Sequence, residues 1–169
     1  LWTNSDFGQI WIFWEFTMLA VVVFSMFIAA FFSKSTPATL VGLLVFFAGY
    51  FLTLIGSYDV ENTNPIALIS LLPVGAFSFG LQEIGRLEDL QIGLNADTNS
   101  STDSPSGYTF NNTLQSLIFD CVLWGVLSWY FNRVIQGDFG QALPWYFPFT
   151  SSYWCPGRAK AHPQDDTIA

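Results

Sequence analysis

The stretch that decides the fold is residues 10–32, which read IWIFWEFTMLAVVVFSMFIAAFF. It is apolar apart from Glu15, Thr17 and Ser25. At about 1.5 Å of rise per residue, a helix of about 23 residues crosses a hydrocarbon core of about 30 Å. The stretch therefore predicts a membrane-spanning helix.

The composition of the whole chain is also that of a membrane protein. Of its 169 residues, 51% are hydrophobic, 18% are aromatic and only 11% are charged, whereas soluble domains carry about 25% charged residues. The five Lys and Arg residues are too few and too scattered to neutralise a nucleic-acid backbone. We therefore expect membrane lipids as partners and no nucleic acid.

Two further apolar runs predict two more membrane-spanning helices. Residues 38–55 follow Pro37, whose fixed φ suits the first turn of a helix. Residues 114–135 form the other run and end just before Gly137. With residues 10–32 they make three predicted spans. The fold class that we expect is an all-α integral membrane protein.

The segment between the second and third spans is too short to cross the bilayer. Residues 66–79 offer only about 14 apolar positions, Pro73 interrupts them, and residues 82–91 are strongly polar. We predict that residues 66–91 form an exofacial, re-entrant helical hairpin that dips into the membrane and returns to the same side. Residues 93–112 then predict a mobile loop, because they are rich in Asn, Ser, Thr, Asp and Gly.

The charges predict which ends of the spans face the cytosol. The basic residues flanking the spans on one predicted side are Lys34, Arg133, Arg158 and Lys160. The positive-inside rule places this side, and with it the C-terminus, in the cytosol of a multi-pass protein of the plasma membrane or an endomembrane. The loop over 93–112 is then outside the cell or in a lumen. It contains two N-glycosylation sequons, which begin at Asn99 and Asn111.

Charged residues within or beside the spans are the candidate functional residues, because a charge in lipid costs at least about 2.5 kcal/mol. Asp120 lies nearly two turns into the third predicted span. It has two open interpretations, a hydrogen-bonding anchor between helices or a contact to substrate, and a hairpin residue such as Arg86 is a natural partner. Glu83 and Arg86 have the i, i+3 spacing of a charged helix face, either solvated or recognising lipid headgroups.

The sequence contains no set of residues for catalysis, cofactor binding or metal binding. Cys121 and Cys155 lack the spacing of a metal site or of a disulfide framework, and His162 is the only histidine. No Gly-x-x-x-x-Gly-Lys-Ser/Thr phosphate loop occurs in the chain. Because residue 1 is Leu and no leader precedes the first span, we expect an internal piece of a longer protein.

An aromatic block follows the last predicted span. Residues 143–154 read LPWYFPFTSSYW, in which Pro144 and Pro148 forbid a continuing helix. Trp and Tyr rings favour the headgroup level of a bilayer. The block predicts an extended cuff where the third span leaves the lipid, and an ordinary aromatic interface belt is the open alternative.

Several segments, in this order and spacing, resemble the A subfamily of ATP-binding cassette transporters. They are LLPVGAFSFG at 71–80, LEDLQIGLN at 87–95, LIFDCVLWGVLSWY at 117–130, GDFG at 137–140 and PWYFPFTSSYW at 144–154. The last block is the most specific, and its motif residues are Pro144, Trp145, Tyr146, Phe147, Pro148, Tyr153 and Trp154. The chain departs from the family at Leu81 and Ser151, where members often have Cys and Lys.

The resemblance implies both a place in a larger protein and an activity. Residues 1–135 would be the end of the first transmembrane domain of an ABC-2 type exporter, and residues 136–169 an aromatic juxtamembrane linker and cytosolic tail. The full-length protein would move lipids or lipid-like molecules by hydrolysing ATP, with ATP and Mg bound in nucleotide-binding domains absent from this chain. The chain alone would be no enzyme, and its partners would be lipids and the remaining domains of the same polypeptide.

Two other functional classes stay open from the residues alone. Short re-entrant segments also line ion pathways, so a channel or passive pore subunit is the alternative function. A membrane enzyme is the third class, although the chain offers no paired carboxylates or histidines in a plausible site.

Overall fold

Five α-helices and one 3₁₀ helix make up the described part of the computed structural model, which is residues 5–56, 63–95, 98, 108–135, 143–150 and 153. In chain order they are α1 (Phe7–Ala29), α2 (Ser35–Gly56), α3 (Thr63–Ile69), α4 (Pro73–Asp89), α5 (Phe110–Val134) and the 3₁₀ helix Phe147–Phe149.

Three of these helices are long and apolar enough to cross a membrane, namely α1, the stretch Ser35–Leu54 of α2, and α5. Within the described residues, the three predicted spans are therefore confirmed as helices of spanning length. α1 begins at Phe7 because the Asp6 carboxylate accepts a hydrogen bond of 3.1 Å from the Gly8 amide and caps the helix. α2 begins at Ser35, so Pro37 lies inside the first turn, where its missing N–H breaks no helical hydrogen bond.

The start of α5 corrects the predicted loop over 93–112. The helix begins at Phe110 rather than Leu114, and Thr109 has the extended backbone of an N-cap residue. The first turn of a helix has free amide groups, so the polar residues that follow Phe110 are compatible with it. The helix therefore extends about one turn further into the polar stretch than the composition predicts.

α1 and α5 run parallel to each other along their whole length. The ring centroids of Phe13 and Phe110 lie 5.6 Å apart near the two helix starts, and those of Phe27 and Phe131 lie 5.8 Å apart near the two ends. α2 returns beside α1, since the end of α1 and the start of α2 line one groove. The turn that carries Lys34 therefore lies at the same end of the helices as the last turn of α5.

The core lies where α1, α4 and α5 meet. The buried apolar residues of this cluster are Ile10, Phe13, Ala20, Ala76, Ile84, Leu87, Leu94, Phe110 and Leu117. Gly80 of α4 allows the closest approach, because a Cβ atom there would lie 2.5 Å from Phe13 Cε2 and 2.9 Å from Thr113 Cγ2. Most large apolar side chains of α2 are exposed by contrast, as expected for a helix that faces lipid or further helices.

α3 and α4 occupy the segment for which the sequence predicts a helical hairpin. They begin at Thr63, slightly before the predicted boundary, and are joined by a turn at residues 70–72. Pro73 occupies the first position of α4, where it favours a helix start rather than breaking one. The Nε1 atom of Trp124 donates a hydrogen bond of 3.0 Å to the Leu71 carbonyl, which ties this turn to α5.

The far end of α4 is fastened to the start of α1. Leu94 donates to Ser5 Oγ (2.9 Å) and accepts from the Asp6 amide (2.8 Å). Ser5 Oγ also donates to the Glu88 carboxylate, at 2.5 Å. Because α4 ends where α1 begins and its Gly80 packs on Phe13, α4 runs antiparallel to both α1 and α5.

Candidate functional site

Asp120 is a buried carboxylate in the middle of the helix bundle. It lies on the face of α5 that also carries Thr113 and Leu117, and its exposed fraction is 0%. Neither carboxylate oxygen accepts a hydrogen bond from any described residue. Since α5 begins earlier than the sequence predicts, Asp120 is nearly three turns into the helix rather than two. A buried polar group without a partner is costly, so this side chain requires a functional or structural reason.

The amino end of α4 lies at the same depth as Asp120. Gly80 of α4 faces Thr113 of α5, and the two antiparallel helices rise by the same amount per residue. Counting about seven residues along each helix brings Pro73, the first residue of α4, level with Asp120. The N-cap residue Leu72 provides no side-chain hydrogen bond to this helix end. Helix amino ends carry a partial positive charge, which is the electrostatic complement of a carboxylate.

Glu83 and Arg86, whose spacing predicts a shared charged face, form an ion pair on α4. Arg86 Nε donates to Glu83 Oε2 at 3.0 Å, and Nη2 donates to Oε1 at 2.6 Å. Glu83 is only 7% exposed, so this part of the helix is not a fully solvated charged face. The bidentate geometry compensates the burial of the Glu83 carboxylate.

The structure does not bring Asp120 and Arg86 together. Arg86 lies on the side of Gly80 that leads to the end of α4, whereas Asp120 lies in the opposite direction along α5. The two side chains are therefore separated by roughly 20 Å of helix axis, at about 1.5 Å per residue. The opposite charges of Asp120 and Arg86 suggest a pair, but the sequence contains no information on how α4 is positioned against α5.

A short chain of hydroxyl groups connects the turn between α3 and α4 to α5 and to the segment before α5. Ser116 Oγ lies 3.1 Å from Tyr108 Oη and 3.4 Å from Ser70 Oγ. Together with the bond from Trp124 to Leu71, these contacts hold the turn against α5. The sequence pattern does not predict these particular contacts, although a serine within an apolar span is a signal that a polar partner lies nearby.

The aromatic cuff, defined here as residues 143–150 and Tyr153, folds back on the end of α5. The ring of Phe147 is 2% exposed. Its centroid lies 5.3 Å from that of Trp129, 5.8 Å from that of Tyr130 and 5.0 Å from that of Tyr153. The predicted extended cuff is therefore wrong in shape, since the chain forms a turn and a 3₁₀ helix that pack on the preceding helix. Trp154 lies outside the described residues.

The remaining residues that the sequence singles out are Asn99, Asn111, Cys155 and His162. Asn111 lies in the first turn of α5 and is partly exposed, while Asn99, Cys155 and His162 lie outside the described residues. The described residues include no group of three His, Cys, Asp or Glu side chains that could hold a metal ion.

Comparison with known proteins places the chain within a family. It is 31% identical over 156 residues to phospholipid-transporting ATPase ABCA3 of Rattus norvegicus, a match that covers 90% of this chain. It is 34% identical over 139 residues to glucosylceramide transporter ABCA12 of Homo sapiens, and 33% identical over 139 residues to human ATP-binding cassette sub-family A member 13, each covering 80% of this chain. The chain belongs to the A subfamily of ATP-binding cassette transporters, which confirms the resemblance found in the sequence.

These A-subfamily relatives are much longer than the chain. The matched region is 9% of the ABCA3 protein, 5% of ABCA12 and 3% of member 13. The chain therefore spans less than a tenth of the length of the relatives it matches. No protein-family model matches the chain.

Proposed function

We propose that this chain forms part of the transmembrane domain of an ATP-driven transporter of lipids or lipid-like molecules. The observation that carries the proposal is the match, over 80% to 90% of the chain, to relatives named for phospholipid or glucosylceramide transport. The three helices of spanning length agree with this role. Since the sequence has no phosphate loop, ATP and Mg would bind nucleotide-binding domains elsewhere in the same polypeptide.

Within that transporter, the chain is the end of the first transmembrane domain, of the ABC-2 type. Residues 1–135 contribute the spans and the hairpin, and residues 136–169 lead towards the first nucleotide-binding domain. The position of the aromatic cuff supports this assignment, because it packs on the last turns of α5, where the chain leaves the membrane.

The hairpin of α3 and α4 is re-entrant in this proposal, and the depth of its turn supports this. Trp124, which bonds the Leu71 carbonyl, follows the start of α5 by about 14 residues or about 21 Å. A helical side chain points towards the N-terminus of its helix, so the Trp124 ring lies over the preceding turn, about 5.4 Å nearer the start of α5. The hairpin turn is therefore about 15 Å from the start of α5. This is about half of a hydrocarbon core of about 30 Å.

The end that carries Lys34 and Arg133 faces the cytosol in this proposal. The two basic residues lie at the same end of the helices, and the positive-inside rule then orients the whole set. The hairpin, the segment with Asn99 and the first turn of α5 with Asn111 lie on the exofacial or lumenal side. Asn99 is then available for N-glycosylation.

Asp120 acts in this proposal as an anchor for the hairpin rather than as a contact to substrate. Its complete burial favours this role, because a lipid headgroup has no access to a side chain with 0% exposure. The side chain lies level with the amino end of α4, whose first N–H groups have no side-chain cap, and a buried carboxyl oxygen is an acceptor of the kind that such N–H groups require. Asp120 would thereby help to hold the turn at residues 70–72 deep in the bundle.

The first experiment is to read the native transcript past the codon for Ala169. A Gly-x-x-x-x-Gly-Lys-Ser/Thr loop after a predicted strand is the expected result, because that loop binds the phosphates of ATP. Further apolar spans without any phosphate loop would contradict the proposal and favour a passive pore.

A further inference from the structure

Phe147 is the buried centre of the aromatic cuff. Its ring stacks on Tyr130 with an interplanar angle of 18° and is closed in by Trp129 and Tyr153. Arg133 adds a contact from its guanidinium to the Tyr153 ring, at 5.9 Å from the centroid. The ring thus connects the segment after the membrane to two consecutive residues of the last span.

Two hydrogen bonds fasten the backbone of the cuff to the same part of α5. The Leu143 amide donates to the Arg133 carbonyl at 3.0 Å, and Tyr130 Oη donates to the Trp145 carbonyl at 2.8 Å. The first of these bonds satisfies one of the carbonyl groups that a helix end leaves unpaired. Ring packing and backbone bonds together attach the cuff to α5 at several points, so a rigid connection follows.

The cuff has a second set of aromatic rings that take no part in this attachment. Phe149 is 90% exposed and Trp145 is 71% exposed. Phe147 and Phe149 therefore offer the same side chain, two positions apart, in opposite environments. The comparison separates attachment to α5 from any general effect of aromatic rings at the membrane boundary.

α5 also holds the hairpin turn, slightly more than one turn of helix before the cuff. Trp124 bonds the Leu71 carbonyl, and Trp129 and Tyr130 follow on the same continuous helix. A displacement of the cuff therefore moves α5 with it, and α5 in turn moves the hairpin turn. A rigid element that carries both contacts is a physical basis for coupling between the two contacted segments.

We propose that the aromatic cuff is a rigid joint that couples the chain downstream of α5 to the last turns of α5. The buried ring of Phe147 is the side chain that holds this joint together. This rests on the proposed function, in which downstream nucleotide-binding domains drive movements of the spans. When those domains close, the cuff moves α5, and α5 moves the hairpin turn. Phe147 is a positioning residue in this scheme and touches neither lipid substrate nor ATP.

The test compares Phe147→Ala with Phe149→Ala in the full-length protein, reconstituted into phospholipid vesicles. The readout is the ratio of lipid molecules moved to ATP molecules hydrolysed, which a loss of folded protein does not change. Phe147→Ala should lower this ratio at least about fivefold, the lower end of typical coupling between sites, while Phe149→Ala leaves it unchanged. An unchanged ratio in Phe147→Ala, or an equal fall in both variants, overturns the proposal.

Two further measurements keep the proposal testable if the alanine variant does not fold or the wild type moves no lipid. Phe147→Leu retains most of the buried volume but loses the stacked ring, and it should also lower the ratio. A cysteine pair at Arg133 and Leu143, whose backbones are hydrogen bonded, should cross-link equally with and without ATP. Absence of lipid movement in the wild type counts against the proposed function. Cross-linking that is lost when ATP binds counts against the rigid joint itself.

Discussion

Replacing Gly80 with alanine tests the packing of α4 against α1 and α5. The added Cβ atom would lie 2.5 Å from Phe13 Cε2 and 2.9 Å from Phe13 Cζ, whereas carbon atoms in contact prefer about 3.5–4.0 Å. The Phe13 ring is fully buried and packs on Phe77 and Phe110, so it has no free space to move into. Forcing a methyl group into such a site costs about 1–3 kcal/mol.

Gly85 of the same helix provides the matched control. A Cβ atom there meets no heavy atom within 4 Å. Replacing either glycine with alanine also improves helix propensity by up to about 1 kcal/mol, and this gain is common to both variants. The stability of Gly80→Ala should therefore fall below that of Gly85→Ala by about 1–3 kcal/mol.

The assay is an SDS titration of the purified full-length protein in mixed micelles, with the unfolding midpoint as the measurement. Gly80→Ala should unfold at a lower SDS fraction than the wild type, and Gly85→Ala at an equal or higher one. Equal midpoints for the two variants would refute the close approach of α4 to Phe13 and, with it, the depth assigned to the hairpin.

Three further predictions concern single polar groups. Asp120→Asn should raise the unfolding temperature or leave it unchanged, because the amide keeps an oxygen acceptor beside the amino end of α4 and removes a buried carboxyl group that has no described hydrogen-bond partner. A lower unfolding temperature would show that the carboxyl group has a strong partner. Trp124→Phe removes the hydrogen-bond donor to the Leu71 carbonyl and should lower the free energy of unfolding by about 0.5–1.5 kcal/mol. Trp145→Phe, which changes an exposed ring, is the control and should not change the unfolding midpoint. Equal effects of the two changes would argue against the hydrogen bond. Asn99→Gln should reduce the mobility shift produced by N-glycosidase on gels, and Asn111→Gln should leave it intact because this residue lies in the first turn of α5. A glycan on neither asparagine would contradict the proposed orientation.

The three spans and the family motif at residues 144–154 are predictable from the sequence, because each depends on a local stretch of residues. An apolar run of about 23 residues has few other physical solutions than a spanning helix. The start of α5 was less predictable, since polar residues in a first turn resemble a loop in composition and the cap at Thr109 is a matter of backbone geometry.

The contacts between distant segments were beyond sequence reasoning. Nothing in the local pattern around Phe147 shows that its ring packs on Tyr130, so an extended cuff was the simpler prediction. The expected pair of Asp120 with Arg86 failed for the same reason, because opposite charges alone do not show how two antiparallel helices are aligned. The i, i+3 pair of Glu83 and Arg86 was predictable, since both residues belong to one helix.

The most direct test of the central claim is leaflet-to-leaflet movement of a fluorescent phospholipid in vesicles that contain the full-length protein. The account predicts movement that requires both ATP and Mg and stops with a non-hydrolysable ATP analogue. Movement that proceeds equally without ATP, or ion flux without lipid movement, would contradict an ATP-driven lipid transporter and indicate a passive pore.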